Sequence, residues 1–174
     1  MTIYYLLNQT IGGINSQFVF DQDYHPIMII TGRFGFNQDG LQLLTITGQY
    51  VGSVTQIRRK HLTTFHIEKQ GHEIGQMNRL SGVWHQFAFV SGLNWTILGS
   101  VANNTYQATH GVHQIFSTEP TIAKKNLDGL KLTVAANQDQ ADVFLVAATL
   151  NQWVLWSQRK PHHLMDPFMN IATN

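Results

Sequence analysis

One apolar stretch near the end of the sequence constrains what this chain can fold into. Val143–Trp156 is apolar with three exceptions, which are Thr149, Asn151 and Gln152. At the helical repeat these three side chains fall on different sides and form no polar stripe, so a helix here requires burial all round. Because about 20 residues are needed to cross a bilayer, the stretch is too short to span one. It therefore predicts a buried core helix over about residues 140–156, which the remainder of the chain must enclose.

The residues on either side of this stretch are typical of helix ends. Asp139 and Asp142 precede it, where carboxylates accept the free backbone N–H groups of a first turn and interact favourably with the helix dipole. Arg159 and Lys160 follow it, and Pro161 comes directly after them. Since proline cannot continue a helix, we expect the helix to end before it.

Short strands separated by turns account for the sequence from Ile3 to about Leu132. Apolar and polar residues alternate there, as in Phe65–Glu68, and no helical repeat is sustained. One predicted turn is Asp21–Pro26, and five others contain glycine: Thr47–Gly48, Lys69–Gly71, Ser91–Gly92, His110–Gly111 and Asp128–Gly129. This pattern predicts about a dozen strands.

A sheet of that size is expected to close on itself, because an open one would leave unpaired edges and accumulate twist. A closed barrel of about twelve strands is too wide to be filled by its own side chains alone. The apolar helix is the element of this sequence that would fill the barrel interior. We therefore predict a mainly β protein, with a closed antiparallel barrel around a buried C-terminal hydrophobic α-helix.

Composition indicates one domain and excludes several kinds of chemistry. The 174 residues contain no linker, so we expect a barrel domain over residues 1–157 and a polar tail over residues 158–174. There are no cysteines, which excludes disulfides and thiol catalysis. With no basic, apolar leader at its start, the chain is expected to be cytoplasmic.

Several short motifs resemble the LURP-one-related family. They are Gly92–Trp95 followed by Ile97 and Gly99, then Tyr106, then Ile122–Lys125, then Leu130–Val134 and the apolar helix. Members of that family have the tubby C-terminal-like fold, which has also been proposed for phospholipid scramblases. The resemblance implies the same twelve-stranded barrel around a helix. The sequence departs from the family pattern at residues 126–129, at Asn151 and in its tail.

No catalytic or metal-binding motif occurs in the sequence. There is no GxSxG nucleophile elbow, and the closest carboxylates, Asp21 and Asp23, lie in a predicted turn where aspartate bonds its own backbone. The nine histidines include no HExxH spacing. We therefore predict no enzyme activity, no cofactor and no metal.

The aromatic residues do not indicate nucleic-acid binding. The four tryptophans are Trp84, Trp95, Trp153 and Trp156. Base-stacking surfaces combine aromatic residues with Lys and Arg, whereas the segments Ser81–Ser100 and Asp142–Trp156 contain neither. Formal net charge is only +1, so no overall field favours nucleic acid. We predict no nucleic-acid partner.

Two short basic runs are the best candidates for a binding surface. Arg58, Arg59 and Lys60 end a predicted strand, and Lys124 and Lys125 form the second run. Such runs bind anionic phospholipid headgroups, because each charge near an anionic membrane surface contributes about 1 kcal/mol. The hypothesis is a non-enzymatic protein, peripheral at the membrane. The alternatives are a structural or protein-interaction module, and an enzyme with an unrecognised site at a barrel mouth.

Overall fold

Strands with alternating buried and exposed side chains make up most of the chain. The computed structural model describes residues 1–11, 14–34, 39–59, 62–80, 87–123 and 127–158. Its strands are β1 (Thr2–Ile11), β2 (Ile14–Phe20), β3 (Pro26–Gly32), β4 (Gly40–Thr45), β5 (Tyr50–Arg59), β6 (Leu62–Lys69), β7 (His72–Leu80), β8 (Phe87–Ser91), β9 (Trp95–Ser100), β10 (Thr105–His110), β11 (His113–Ala123) and β12 (Leu127–Val134). In β12, Leu130, Leu132 and Val134 are buried and the residues between them are not, as expected where one sheet face meets a core.

The twelve described strands form one closed antiparallel barrel. Each strand pairs with its neighbours in sequence, and β1 pairs with β12 to complete the ring. The closing ladder runs from Thr2 opposite Val134 to Leu7 opposite Gly129. Closure of the ring removes the unpaired edges that an open sheet would have. The predicted fold class, a mainly β closed barrel of about twelve strands with a C-terminal helix, is confirmed.

The helix α1 (Gln140–Gln158) lies against the inner face of this barrel. Every residue from Val143 to Leu150 has 0% exposed surface, so the prediction of burial on all sides is confirmed. Asp139 caps the first turn, because its Oδ1 accepts the backbone N–H of Ala141 at 3.0 Å. Arg159 to Asn174, which includes most of the predicted tail, lie outside the described residues. In the part of the chain that is described, no helix combines the length and the apolar character that crossing a membrane requires.

Close packing holds α1 against the barrel wall. The Phe144 ring meets the Tyr4 ring edge to face, with centroids 5.1 Å apart. On the β5 side, Gly52 faces Leu145 so closely that a Cβ added at Gly52 would lie 3.0 Å from Leu145 Cδ1 and 2.6 Å from the backbone oxygen of Glu68. The absence of a side chain at Gly52 therefore allows the helix and β5 to approach each other.

One predicted turn is wrong. Asp128 and Gly129 were expected to reverse the chain, but they lie inside β12, which begins at Leu127. A Cβ at Gly129 would lie 2.2 Å from the backbone oxygen of Leu6, across the ladder that closes the barrel. Glycine is needed there for close approach of two strands rather than for a turn.

The predicted end of β11 is also wrong. The sequence predicts a strand over Val112–Ser117. Pro120, which cannot donate a ladder hydrogen bond, lies beyond that strand. The strand continues to Ala123, with Pro120 paired to Leu130 of β12. On its other side β11 pairs with β10 only as far as Ser117. Beyond that point β11 is paired on one side only, where a missing N–H is tolerated.

Candidate functional site

The order of the strands divides the connections between the two ends of the barrel. Because the strands run alternately up and down, one end holds the connections that follow β1, β3, β5, β7, β9 and β11. The other end holds those that follow β2, β4, β6, β8 and β10, together with the connection from β12 to α1. With 19 residues, α1 is about 28 Å long, so it enters at the second end and its last turns reach the first.

The first of these ends is basic. Within the described residues it carries four arginines and two aspartates. These are Arg33, Arg58, Arg59 and Arg79, with Asp39 and Asp128. We call this end the basic rim.

The second end is acidic, and we call it the acidic rim. Its described residues include six carboxylates and one lysine. These are Asp21, Asp23, Glu68, Glu73, Asp139 and Asp142, with Lys69. The formal net charge of +1 therefore conceals a separation of charge along the barrel axis.

Lys69 joins the acidic rim to the start of α1. Its Nζ donates to Asp139 Oδ2 at 2.8 Å and to Asp142 Oδ1 at 2.6 Å. Burial alone would lower the pKa of Lys69, but these two hydrogen bonds raise it above its ordinary value. Burial raises the pKa of Asp142, and the bond from Lys69 offsets only part of that effect. This cluster is a structural anchor for the helix.

Two of the five predicted headgroup residues belong to a strand that ends at the basic rim. The backbone of Arg58 and Arg59 ends β5 there. Lys60 follows directly in the sequence but lies outside the described residues, as do Lys124 and Lys125. The strand ends that flank those two lysines, Ala123 of β11 and Leu127 of β12, lie at the same rim.

The strand ends that flank the two basic runs lie far apart on the basic rim. The β5–β6 and β11–β12 connections are six strands apart in a ring of twelve, on opposite sides of the barrel mouth. A barrel of this size is roughly 20–25 Å across, given strands about 4.8 Å apart and a tilt of about 40°. This separation exceeds the Debye length at physiological ionic strength, which is about 8 Å. The strand ends are therefore placed to contact an extended anionic surface rather than one small anion.

A cavity of about 460 Å³ opens at the basic rim beside the end of α1. Three asparagines from three separate elements line it: Asn8 of β1, Asn104 of the β9–β10 connection and Asn151 of α1. Asp128 contributes a carboxylate, while Ile122 and Leu155 contribute apolar walls. A barrel mouth with a few convergent polar groups is a common place for a ligand.

Hydrogen bonds hold two of these asparagines in place. Gln17, which is 1% exposed, donates its Nε2 to Asn8 Oδ1 at 2.8 Å. Asn151, also 1% exposed, donates its Nδ2 to the same oxygen at 3.4 Å. The other half of each asparagine side chain, Asn8 Nδ2 and Asn151 Oδ1, makes no hydrogen bond to the described residues. These groups are left to face the cavity.

Asn104 is fixed by its backbone. It lies in the left-handed region at φ 57°, which asparagine tolerates better than most residues. Its N–H donates to the Val101 carbonyl at 3.0 Å, and its own carbonyl accepts from Thr118 Oγ1 at 3.0 Å. The side-chain Oδ1 of Asn104 is buried with no hydrogen-bond partner among the described residues. Buried polar atoms without partners are exceptional.

The described lining of the cavity carries a negative charge. Asp128 is the charged residue of its described lining, and it makes no salt bridge to any described residue. Among these lining residues there is no histidine, lysine or serine. The arrangement offers hydrogen bonds and one negative charge to a ligand.

At the acidic rim, Asp21, Asp23 and His25 place one potential metal ligand each within 4.8 Å of one another. The prediction from the sequence that these aspartates are turn residues is confirmed. Asp21 Oδ1 accepts the backbone N–H groups of Asp23 at 3.0 Å and His25 at 2.8 Å. The His25 hydrogen bond is the main reason that the pKa of Asp21 lies below its ordinary value. The turn alone accounts for this cluster.

Comparison with known proteins supports the fold alone. No protein-family model and no curated protein matches the chain. Its structure is similar to the X-ray structure of the protein AT5G01750 from Arabidopsis thaliana, with a TM-score of 0.54 and 14% sequence identity. The match covers 90% of this chain and 91% of the Arabidopsis chain. At that identity the likeness extends to the barrel and its helix.

Proposed function

We propose that this chain is a barrel of the LURP-one-related type that acts without catalysis and binds anionic phospholipid headgroups through the basic rim. The separation of charge along the barrel axis carries the proposal. An anionic bilayer attracts the basic rim and repels the acidic rim, so the protein binds end-on. The resemblance of the sequence motifs to that family and the fold shared with the Arabidopsis protein are consistent with it.

The expected affinity is modest. Each basic side chain near an anionic surface contributes about 1 kcal/mol, so the four described arginines of the basic rim give about 4 kcal/mol, which corresponds to millimolar binding. Lys60, Lys124 and Lys125 strengthen it. Binding of this kind is reversible and depends on ionic strength.

Flotation with vesicles tests the proposal. The protein should float with phosphatidylcholine vesicles that contain phosphatidylglycerol, and not with phosphatidylcholine alone. Raising the salt from about 0.1 M to about 1 M shortens the Debye length from about 10 Å to about 3 Å and should release it. The variant R58Q/R59Q/K60Q should lose binding while it keeps its thermal unfolding temperature.

A matched variant separates rim charge from net charge. Adding D23N/E68Q/E73Q at the acidic rim to R58Q/R59Q/K60Q restores the formal net charge, and we expect binding to stay lost. Recovery of binding in this variant would mean that total charge, not the basic rim, attracts the protein. If the unmodified protein fails to float with anionic vesicles at low salt, the proposal is wrong and a protein-interaction module becomes the better hypothesis.

A further inference from the structure

Two histidines lie directly opposite each other at the tip of the β10–β11 hairpin. His110 is the last residue of β10, His113 is the first residue of β11, and the two are cross-strand partners. Of the two residues between them, Gly111 has φ 60° and Val112 has no positive φ, which is the combination of a type II′ turn. This turn sets the register of the strand ends, so the hairpin itself brings the two histidines together.

Both imidazoles belong to one face of this hairpin. Side chains of directly opposed residues point to the same side of a sheet, with their Cβ atoms about 4.5–5.5 Å apart. His110 and His113 are exposed, and neither makes a hydrogen bond or an ion pair to any described residue. Their ring nitrogens are therefore free to bind a ligand.

Two imidazoles at this separation can chelate one transition-metal ion. Histidine nitrogens bind Zn²⁺ at about 2.0–2.1 Å, so two of them on one ion are roughly 3–4 Å apart, a spacing that side-chain rotation reaches from these Cβ positions. Imidazole also binds Ni²⁺ and Cu²⁺, and Cu²⁺ most tightly. The prediction of no metal from the sequence depended on the absence of HExxH, a helical spacing, whereas here a strand register pairs the ligands.

The position of the pair on the barrel favours a cation. The β10–β11 connection belongs to the acidic rim, where the described residues include six carboxylates and one lysine. Negative charge of this kind raises the local concentration of cations. Val112, between the two histidines, is 92% exposed, so an ion reaches the tip of the hairpin directly from solvent.

We propose that His110 and His113 together bind one divalent transition-metal ion, with water completing its coordination. The chain contains no cysteine that would compete for the ion. The site does not depend on the proposed function, because it lies at the end of the barrel opposite the basic rim.

Calorimetric titration of the full chain with Cu²⁺ tests this site, in a glycine buffer that competes with binding to single histidines. We expect one tight equivalent. The second imidazole acts at a high effective concentration, so H110N and H113N should each weaken the affinity at least about tenfold. Both substitutions are at exposed positions, and the unfolding temperature without metal should stay the same.

His72 provides the matched control. It is exposed at the same rim and also follows a two-residue turn, but its cross-strand partner is Lys69 instead of a histidine. H72N should keep the tight equivalent. So should H162N/H163N, which removes the adjacent histidines near the end of the sequence.

Electron paramagnetic resonance of the bound Cu²⁺ counts its nitrogen ligands. The unmodified protein should show coupling to two nitrogens, and H113N should show coupling to one. The same spectrum in both overturns the proposal. So does the absence of a tight equivalent in the unmodified protein, its persistence in H110N and H113N, or its loss in either H72N or H162N/H163N.

Discussion

Replacing Leu150 by Ala should strongly destabilise the fold if α1 fills the barrel. Leu150 has 0% exposed surface. The change removes three carbon atoms, worth about 2.4 kcal/mol at about 0.8 kcal/mol for each. A cavity term of about 24 cal/mol per Å³ adds to this. Because a closed ring of hydrogen-bonded strands resists collapse into the cavity, we expect a loss in the upper part of the range of about 2 to 5 kcal/mol.

Urea denaturation of the full chain measures this loss, and Leu98→Ala is its control. Leu98 lies on β9 and is 41% exposed, so its truncation leaves no enclosed cavity. We expect the control to lose about 1 kcal/mol or less. The slope against urea should be the same in both variants, so that the midpoints report stability alone. A loss below about half a kcal/mol for Leu150→Ala, or one equal to the control, would refute the enclosed helix.

Three further changes test the packing and the charges around α1. Gly52→Ala should cost about 1–3 kcal/mol by forcing the helix away from β5, and a neutral result in thermal unfolding would contradict the close approach there. The raised pKa of Lys69 means that its contribution to stability is complete below its ordinary pKa of 10.5 and is lost as the pH rises through the raised value. Lys69→Met should therefore lose stability at neutral pH and show less further loss at alkaline pH, and an unchanged alkaline transition would count against the cluster. A chain ending before Asp139 should be insoluble or lack cooperative unfolding, because the apolar interior is left uncovered; a soluble, cooperative fragment would show that the barrel does not need its helix.

The barrel and its helix were predictable from the sequence because each meets a packing requirement of the other. A helix that is apolar on every side, from Val143 to Leu150, needs an enclosure. A ring of twelve strands needs something to fill it. Both requirements can be read from periodicity alone, without knowing which residues touch.

Local details were harder to predict because glycine and proline each occur in more than one kind of local structure. Gly129 indicated a turn, whereas it permits the close approach of β1 and β12. Pro120 is compatible with a strand because β11 is paired on one side only at that position. In each case the neighbouring strand that determines the local structure comes from another part of the sequence. The residue type alone was therefore compatible with two structures.

The charge separation could have been predicted, whereas the cavity could not. In a meander, alternate connections lie at the same end, so the basic runs after β5 and β11 belong to one rim once the strands are counted. The cavity depends on the meeting of Asn8, Asn104 and Asn151, which are dispersed over most of the chain. The one signal in the sequence was Asn151, an amide in a mostly apolar helix.

Asn151 lies where the interior of the barrel changes from apolar to polar. Asn151 meets Asn8 and Gln17 in a polar layer, where the wall beside the earlier turns of α1 is apolar. Such a layer contributes little to stability, because each hydrogen bond gains only about 1 kcal/mol and any unpartnered buried group costs about 1–3 kcal/mol. Gln17 Oε1 and Asn104 Oδ1 are two such groups among the described residues. Leucines would fill this layer at lower cost, so packing alone does not account for amides here.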